Sequence, residues 1–492
     1  MFKSIFLLPA FALVLSAEPR PVLLISIDGL RPDCVLKADQ YGLKIPNLRR
    51  MVAGGAYATA VHGVFPTVTY PSHTTLVTGV SPAGHGIFAN TTFDPTNANY
   101  GGWYWYAEDI RVPTLWDEAS KAGLTTANVH WPVTVGAKID WNLAQYWRAG
   151  TPDDRKLLRA LCTPGLLDLL ERDLPPYADG SDESLAADQR RNLFAIRLLE
   201  LKRPAFMTVY FASLDHVEHQ FGPFSPEANA TLEQLDTLVG ALRDAAGPGV
   251  VVAVVSDHGF VRIDKDVNLL TEFLKAGLIT VDETGKVTSW QAGGWAAGAT
   301  GAIMINPQAP AGTKERVAEV LGRLSKDPAN GIQRVLDSKE IDRLHGFPGA
   351  DFVVALRPGY SFGARVTGPL VTDSALRGMH GYLPDVADMD STFLLAGPGV
   401  PAGRSLGEID MRDIAPTLAA IVGVRLARAE GHDVLAGTGR SRPQCAPSEA
   451  GGPLRCAGVD VLAGTGRSRP QCEPSEAGGP LRCAGVDLRA AQ

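Results

Sequence analysis

The residues of this chain that could do chemistry are carboxylates and imidazoles spread over separate segments. In chain order the candidate metal ligands are Asp28, Asp215, His219, Asp257, His258 and His380. Oxygen and nitrogen ligands in this mixture, with no thiolate among them, suit a pair of Zn²⁺ ions in a hydrolytic site. A Thr-rich turn at residues 65–73 lies between the first and second ligands. Because a hydroxyl beside two such ions is a nucleophile for phosphoryl transfer, this pairing predicts a metal-dependent hydrolase.

The spacing of two ligand pairs lets both side chains of a pair reach one ion. Asp215 and His219 are four residues apart, so they lie on the same side of a helical turn. Asp257 and His258 are adjacent and precede Gly259, whose tight turn is needed to aim them together. Either pair alone occurs by chance in many chains. Their joint appearance at the ends of successive strands favours a metal site.

Three apolar runs, residues 21–27, 205–211 and 250–255, end at or shortly before candidate ligands. Continuous apolar runs are typical of strands that are buried on both faces of a parallel sheet. Because open α/β sheets bind ligands at the carboxyl ends of their strands, we expect the three runs to converge on one crevice. Helical patterns between the strands, notably at residues 226–246, predict an α/β fold: a mostly parallel sheet with helices on both faces.

The chain divides into three regions. Residues 1–17 have a short basic head, an apolar run too short to span a membrane and a small-residue cleavage site, which predicts a signal peptide and a periplasmic or secreted protein with no stable membrane anchor. Residues 18–432 are interpreted as one catalytic domain with a smaller lobe inserted at about 261–377. The predicted elements of this lobe are helices at 268–276 and 314–326 and strands at 302–305 and 352–356. The last strand and helix of the core are expected at 391–395 and 414–422.

The third region is a tandem duplication at residues 433–492. A 27-residue segment at 433–459 recurs at 460–486 with one change, Ala446 against Glu473. Its Gly, Pro, Ser and Arg content predicts a disordered tail without a catalytic role. Each copy contains Cys-x10-Cys, which allows a disulfide within the copy, whereas Cys34 and Cys162 lie in the main body.

The net charge of the chain indicates which kinds of molecule it could bind. The 492 residues include 46 basic and 53 acidic side chains, for a net charge of −7. This balance argues against a nucleic-acid polymer or an anionic membrane as the partner. A small anionic substrate is still compatible with it, because the count omits the charge of bound zinc.

Taken together, these segments resemble the nucleotide pyrophosphatase/phosphodiesterase family within the alkaline phosphatase superfamily. The resemblance extends from about residue 21 to 425 and stops before the repeats. The matching segments are Ile27-Asp28-Gly29-Leu30-Arg31, the turn from Phe65 to Pro71, Leu76-Val77-Thr78-Gly79 with His85-Gly86-Ile87, Asn90, Leu214-Asp215 with His219 and Gly222-Pro223, Ser256-Asp257-His258-Gly259, and His380-Gly381-Tyr382. The resemblance implies an alkaline-phosphatase-like fold and two Zn²⁺ ions.

The resemblance also implies a role for each matching residue. Asp215, His219 and His380 would hold one zinc, and Asp28, Asp257 and His258 would hold the other. Thr69 matches the nucleophile, whose hydroxyl a zinc activates, and Thr67 is the second candidate. The Asn90 amide would donate to a phosphoryl oxygen. Tyr70 and Tyr210 match positions where aromatic side chains sandwich a nucleobase.

The function that this implies is hydrolysis of nucleotide phosphodiester and pyrophosphate bonds through a phosphothreonine intermediate, with release of nucleoside 5′-monophosphates. A phosphomonoesterase of the same superfamily is disfavoured, because no Lys-x-Arg pair lies between Thr69 and Asp215. A sulfatase is disfavoured because the turn lacks its Arg. The residues are also compatible with phosphonate hydrolysis, with lysophospholipid cleavage on the same metals and with an inactive secreted binding protein.

Overall fold

The computed structural model describes residues 19–99, 102–148 and 150–436. These residues belong to one compact unit that ends at Ala436. The predicted signal peptide and residues 437–492 of the duplicated tail, with all four tail cysteines, lie outside the described residues. Cys34 and Cys162 are buried free thiols.

The strands are short and are numbered here in chain order. They are β1 (Val22–Ile27), β2 (Ala56–Tyr57), β3 (Ala60–His62), β4 (Thr126–Val129), β5 (Trp141–Leu143), β6 (Phe206–Phe211), β7 (Val251–Val255), β8 (Val261–Val267), β9 (Ile279–Val281), β10 (Val287–Trp290), β11 (Ala292–Ala297), β12 (Thr300–Ile305), β13 (Ile332–Asp337), β14 (Phe352–Leu356), β15 (Gly359–Phe362), β16 (Val371–Asp373), β17 (Gly378–Met379), β18 (Phe393–Ala396), β19 (Arg404–Ser405) and β20 (Glu408–Asp410).

The α-helices are numbered in the same way. They are α1 (Pro32–Leu36), α2 (Pro46–Gly54), α3 (Thr69–Thr78), α4 (Pro82–His85), α5 (Leu115–Lys121), α6 (Pro152–Leu161), α7 (Leu166–Leu170), α8 (Leu185–Lys202), α9 (Ser213–Phe221), α10 (Pro226–Ala246), α11 (Leu269–Lys275), α12 (Thr313–Leu324), α13 (Ser338–Leu344) and α14 (Ile414–Val422). Short 3₁₀ turns lie at Ala38–Tyr41, Ala107–Asp109, Tyr177–Gly180, Pro328–Asn330, Ala387–Met389 and Met411–Asp413. Within the described part of the chain, no helix is long and apolar enough to cross a membrane.

An eight-stranded sheet in the order β19-β2-β18-β7-β1-β6-β4-β5 forms the centre of the unit. The five strands from β7 to β5 run parallel, and β18 is antiparallel to its neighbours β7 and β2. Alternate residues of β1 point to opposite faces of the sheet. Leu23 and Ile25 pack in a cluster with helices α8 and α10, whereas Val22 and Leu24 pack with helices α3, α5 and α14. The predicted α/β fold, mostly parallel with helices on both faces, is therefore confirmed.

The segment at 261–377, which we expected to form a lobe, contains a sheet and an apolar core of its own. Strands β11-β12-β14-β13 form an antiparallel sheet, and β8 pairs with β15, β16 and β17 in another. The sequence predicted β12, β14, α11 and α12 to within a few residues. It did not predict the remaining strands, which include β11 with its Gly and Ala and the more polar β8 and β13.

Candidate metal centre and cleft

The carboxyl ends of three adjacent parallel strands supply most of the site. Strand β1 lies between β6 and β7, and Asp28 follows it directly. Asp257 and His258 follow β7, and α9, which begins after β6, carries Asp215 and His219. His380 follows β17. The predicted convergence of the strand ends thus brings residues from 28 to 380 together.

Asp28, Asp257 and His258 form one compact group. Their ligand atoms all lie within 4.8 Å of one another. The His258 Nε2 atom is 3.3 Å from Asp28 Oδ1 and 3.1 Å from Asp257 Oδ2. All three side chains are buried. This is the trio that the resemblance assigns to one zinc.

Asp215, His219 and His380 also meet, but His258 takes part in their group. Asp215 Oδ2 is 3.5 Å from His219 Nε2, and Asp215 Oδ1 is 3.6 Å from His380 Nε2. The ligand atoms that lie within 4.8 Å of one another are those of Asp215, His258 and His380. The His258 and His380 rings stack with centroids 3.7 Å apart. His258 therefore lies between the two expected ion positions, with His219 at the outer edge.

The three histidines are oriented by the backbone. In each ring the Nδ1 atom faces a carbonyl oxygen, so the proton lies on Nδ1 and the Nε2 lone pair is free for a cation. The partners are Gly378 for His219 at 3.0 Å, Gly259 for His258 at 3.1 Å and Thr67 for His380 at 3.3 Å.

The donor set fits divalent cations. Asp28 Oδ1, Asp215 Oδ1, Asp257 Oδ2 and His258 Nε2 are buried and have no hydrogen-bond partner among the described residues. Burial, followed by the charges of Asp257 and Asp215, raises the pKa of Asp28 well above its ordinary value. Burial also lowers the pKa of His258 to about 4. Buried carboxylates this close repel one another, and positive charge between them would remove that penalty.

Thr69 is the first residue of helix α3. One hydrogen bond holds the Asn90 side chain next to Thr69. The Asn90 Oδ1 atom accepts from the backbone N–H of Tyr70 at 2.9 Å. The Asn90 amide nitrogen therefore faces Thr69 Oγ1, at 3.5 Å. The Thr67 hydroxyl is fully buried and donates to the Tyr382 carbonyl at 2.7 Å. This geometry favours Thr69 over Thr67 as the reactive hydroxyl.

The Tyr70 and Tyr210 rings, which the resemblance assigns to contacts with a nucleobase, do not line the cleft. Both rings are buried, with 1% and 2% of their surface exposed. The Tyr70 hydroxyl donates to Gln145, and the Tyr210 hydroxyl donates to Asp28 Oδ2. Tyr210 lies within β6, all of whose residues are buried. Its observed contact is with a candidate metal ligand.

Two residues that the sequence analysis missed hold the site in place. The His73 Nδ1 atom hydrogen-bonds the Thr69 carbonyl at 2.8 Å, and its Nε2 bonds the Ser26 hydroxyl at 2.8 Å, so it ties α3 to β1. Asp188 in α8 accepts from the backbone N–H groups of Ala212 and Ser213, which begin α9. Neither residue stood out, because a lone buried His and an acidic residue on a helix are both common.

A cleft of about 500 Å³ opens above the ligands. It is lined on one side by Val68, Asn90 and Thr91 and on another by His219 and His380. The lobe contributes the small residues Ala296 and Gly298 to the lining, together with Phe362 and Leu376. Asn90 and two of the candidate metal ligands, His219 and His380, therefore line the same cleft.

Comparisons with known proteins agree with this arrangement. The chain is 28% identical over 250 residues to an uncharacterized pyrophosphatase/phosphodiesterase of Schizosaccharomyces pombe, which covers 48% of this chain and 44% of that protein. It is 26% identical over 260 residues to human ectonucleotide pyrophosphatase/phosphodiesterase family member 1, over 49% of this chain and 24% of the relative. The matches thus span less than half the length of these curated relatives.

Solved structures show the same fold. Human ectonucleotide pyrophosphatase/phosphodiesterase 5 superposes with a TM-score of 0.60 at 20% identity, over 84% of this chain and 97% of that protein. An inactive form of the murine protein, solved in complex with AMP, gives the same values. The model of the type I phosphodiesterase/nucleotide pyrophosphatase family matches residues 22–383, which contain every candidate ligand. This chain therefore belongs to the type I phosphodiesterase/nucleotide pyrophosphatase family.

Proposed function

We propose that this protein hydrolyses phosphodiester and pyrophosphate bonds of nucleotides at a pair of zinc ions and releases nucleoside 5′-monophosphates. The observation that supports the proposal is that Asn90 lines the same cleft as His219 and His380 and directs its amide nitrogen to Thr69 Oγ1 at 3.5 Å. The AMP complex of the murine relative supports a nucleotide as the substrate. Export directed by residues 1–17 would place the activity in the periplasm or outside the cell.

Asp28, Asp257 and His258 would hold one cation, and Asp215, His219 and His380 the other. When bound, two divalent cations lower the pKa of an adjacent hydroxyl and neutralise charge on the departing oxygen. His258 belongs to both groups of neighbouring ligand atoms, so its Nε2 atom would be available to either cation.

The reaction would proceed by two in-line displacements. In the first, Thr69 Oγ1 forms a bond to phosphorus, its proton leaves, and the bond to the leaving oxygen breaks. In the second, water attacks the phosphothreonine, the Thr69 oxygen departs and recovers a proton, and the monophosphate is released. Asn90, held by the Tyr70 amide, donates to a non-bridging oxygen in both steps. A fixed donor of this kind contributes about 3–4 kcal/mol to the lowering of a barrier.

The decisive experiment compares p-nitrophenyl thymidine-5′-monophosphate with p-nitrophenyl phosphate on zinc-loaded protein. We expect the diester to be preferred. A large preference for the monoester would overturn the diesterase assignment and favour the phosphomonoesterase.

The nucleophile is tested by Thr69→Ala with Thr67→Val as its matched control. Loss of the nucleophile is expected to cost on the order of a millionfold in kcat, with both zinc ions still bound. Thr67→Val removes only the hydrogen bond to Tyr382, so it should lose about 1 kcal/mol of stability and retain turnover. Mass spectrometry of acid-quenched wild-type protein should find the phosphate on Thr69. Turnover by Thr69→Ala would refute this mechanism.

A further inference from the structure

Helix α9 carries two rows of polar side chains beside the cleft. Asp215 and His219 form the first row, four residues apart on one side of the helix. His216 and Gln220 have the same spacing one residue further along, so their row lies about 100° around the helix from the first. Both residues of this second row line the cleft together with His219. The proposed reaction uses only the first row.

A chain of hydrogen bonds holds the second row in place. The Glu183 carboxylate, which can only accept, lies 3.1 Å from His216 Nδ1, so the His216 proton is on Nδ1. His216 Nε2 is then the acceptor that faces Gln220 Nε2 at 2.8 Å. A glutamine side chain has two N–H groups. Gln220 therefore donates one of them to His216 and keeps the other for a ligand in the cleft.

Asn90 is held in a similar way elsewhere in the same cleft. Its Oδ1 accepts from the Tyr70 N–H, and its amide nitrogen faces Thr69 Oγ1. Two carboxamides, each held by a hydrogen bond to a neighbouring residue, therefore line one cleft. A donor that is oriented before the substrate arrives can stabilise charge without first reorganising.

The position of Thr69 indicates which part of a substrate Gln220 would meet. His73 Nδ1 bonds the Thr69 carbonyl at 2.8 Å and lies 3.5 Å from Asp257 Oδ2, so His73 ties Thr69 to the ligand group that contains Asp257. In an in-line displacement the departing oxygen lies opposite the attacking one. The leaving group would therefore depart toward the other ligand group, whose His219 is the residue before Gln220.

We propose that Gln220 is a specificity-determining residue that donates its second N–H to a phosphoryl oxygen of the leaving group, and that His216 is the positioning residue that holds it there. A pyrophosphate leaving group has such oxygens on the phosphorus next to the scissile bond, whereas p-nitrophenol does not. Gln220 therefore favours anhydrides over aryl esters of the same nucleotide. This inference rests on the proposed function, and it specifies the leaving group that the cleft prefers.

The test compares two substrates that release the same nucleotide, thymidine 5′-monophosphate. Thymidine 5′-triphosphate loses pyrophosphate, and p-nitrophenyl thymidine-5′-monophosphate loses p-nitrophenol. Gln220→Met keeps the length of the side chain and removes the donor. Since one neutral hydrogen bond contributes about threefold to tenfold, the ratio of kcat/KM for the triphosphate to kcat/KM for the aryl ester should fall by that factor.

Gln40→Met is the matched control, because Gln40 is also exposed but lies in the 3₁₀ turn at Ala38–Tyr41 and does not line the cleft. Its ratio should equal that of the wild type. An unchanged ratio in Gln220→Met would overturn the proposal. Equal losses for both substrates would also overturn it, because they would place Gln220 against the nucleotide that is retained.

The positioning role of His216 is tested by His216→Phe. Phenylalanine keeps a ring at this position but offers no nitrogen to the Gln220 amide, so the same ratio should fall while the zinc content stays at that of the wild type. A ratio that His216→Phe leaves unchanged would overturn the positioning role.

A binding measurement keeps this test separate from that of the catalytic proposal. Calorimetric titration of zinc-loaded protein with thymidine 5′-(α,β-methylene)diphosphate and with thymidine 5′-monophosphate needs no turnover. Gln220→Met should weaken binding of the diphosphate analogue about threefold to tenfold relative to the monophosphate. This result would support the Gln220 contact even if both substrates proved inert and the proposed function failed. Equal changes for the two ligands would overturn the contact while leaving phosphodiester hydrolysis intact.

Discussion

The hydroxyl of Tyr210 orients a candidate metal ligand, Asp28. Its O–H donates to Asp28 Oδ2, which leaves Asp28 Oδ1 directed toward His258. Tyr210 is fixed within β6, a central strand, so the carboxylate has little freedom to rotate. Groups that hold a metal ligand from behind in this way commonly change metal affinity by about 10–100-fold.

We therefore expect Tyr210→Phe to weaken zinc binding by about 10–100-fold, because Asp28 loses the donor that orients it. Competition with a chromophoric chelator measures this affinity. Tyr70→Phe is the control: it removes a buried hydroxyl of the same kind, but that hydroxyl bonds Gln145 and no ligand. Unchanged zinc affinity in Tyr210→Phe would show that Asp28 is oriented by its backbone alone.

The candidate metal ligands could be predicted from the sequence, whereas the residues that orient them by hydrogen bonds could not. A carboxylate after a buried strand stands out in the sequence, as with Asp28 after β1. Tyr210 was not predicted to contact Asp28, because the family resemblance assigned it to a nucleobase instead. Alternate residues of a strand point to opposite faces of the sheet, and both faces of β6 are covered. The ring of Tyr210 is therefore buried, with its hydroxyl directed toward Asp28.

At the level of elements, helix α9 is held by a buried ion pair from α8. Ala212, the residue before α9, offers no capping side chain, and Asp188 supplies the missing acceptor for the first N–H groups. Asp188 in turn pairs with Arg191, and both side chains are fully buried. The position of Asp215 and His219 thus depends on a pair that touches neither of them.

Asp188→Asn should lower the free energy of unfolding by about 3–5 kcal/mol, because it leaves the buried Arg191 charge without its partner. Urea denaturation measures the loss. Asp173→Asn is the control: its partner Arg197 is also on α8, but Asp173 is largely exposed and should cost less than about 1 kcal/mol. Similar losses in the two variants would contradict this account of α9.

His62 on β3 links the last strand pair of the fold to the loop before β18. It bonds Asp390 at 2.9 Å and Glu408 of β20 at 3.3 Å. The hydrogen bond to Asp390, followed by the charges of both carboxylates, raises the pKa of His62 from 6.5 to about 9. The folded protein therefore holds this proton more tightly than the unfolded chain does.

The stability that His62 contributes should be fully present below about pH 6.5 and should disappear as the pH rises through about 9. We expect it to be less than about 1 kcal/mol, since the side chain is half exposed and water screens the charges. Urea denaturation of wild type and His62→Gln at pH 6, 8 and 10 gives the difference directly. A difference that grows toward pH 10 would contradict the assignment.

Element positions were predictable where periodicity was strong. The 21-residue helix α10 begins and ends where its apolar stripe indicated, at Pro226 and Ala246. Helix α3, by contrast, begins at Thr69 although Thr69 and Tyr70 have low helix propensity, because tertiary contacts override that propensity. The lobe was the least predictable, since Gly and Ala in β11 give almost no hydrophobic contrast between its faces.

For the whole molecule, the cluster of buried acids predicts that metal stabilises the fold. Saturating zinc should raise the melting temperature above that of chelator-treated protein, since ions that bind only the folded state stabilise it by about 2.7 kcal/mol at a hundredfold excess over Kd. Differential scanning fluorimetry measures the shift. Magnesium at the same concentration should give a smaller one, because imidazole ligands suit zinc better. Equal melting temperatures with and without zinc would argue against the metal centre.

The distance along the chain between the ligands has a kinetic consequence. The first, Asp28, and the last, His380, are brought together only when the sheet has formed and the lobe has closed back on it. A nascent or collapsed chain offers the ions no place to bind, so the rate of refolding should be the same with or without zinc. Unfolding of the zinc-loaded protein would have to break the contacts between the ions and their ligands first. Bound metal should therefore slow unfolding of the native protein without accelerating its refolding.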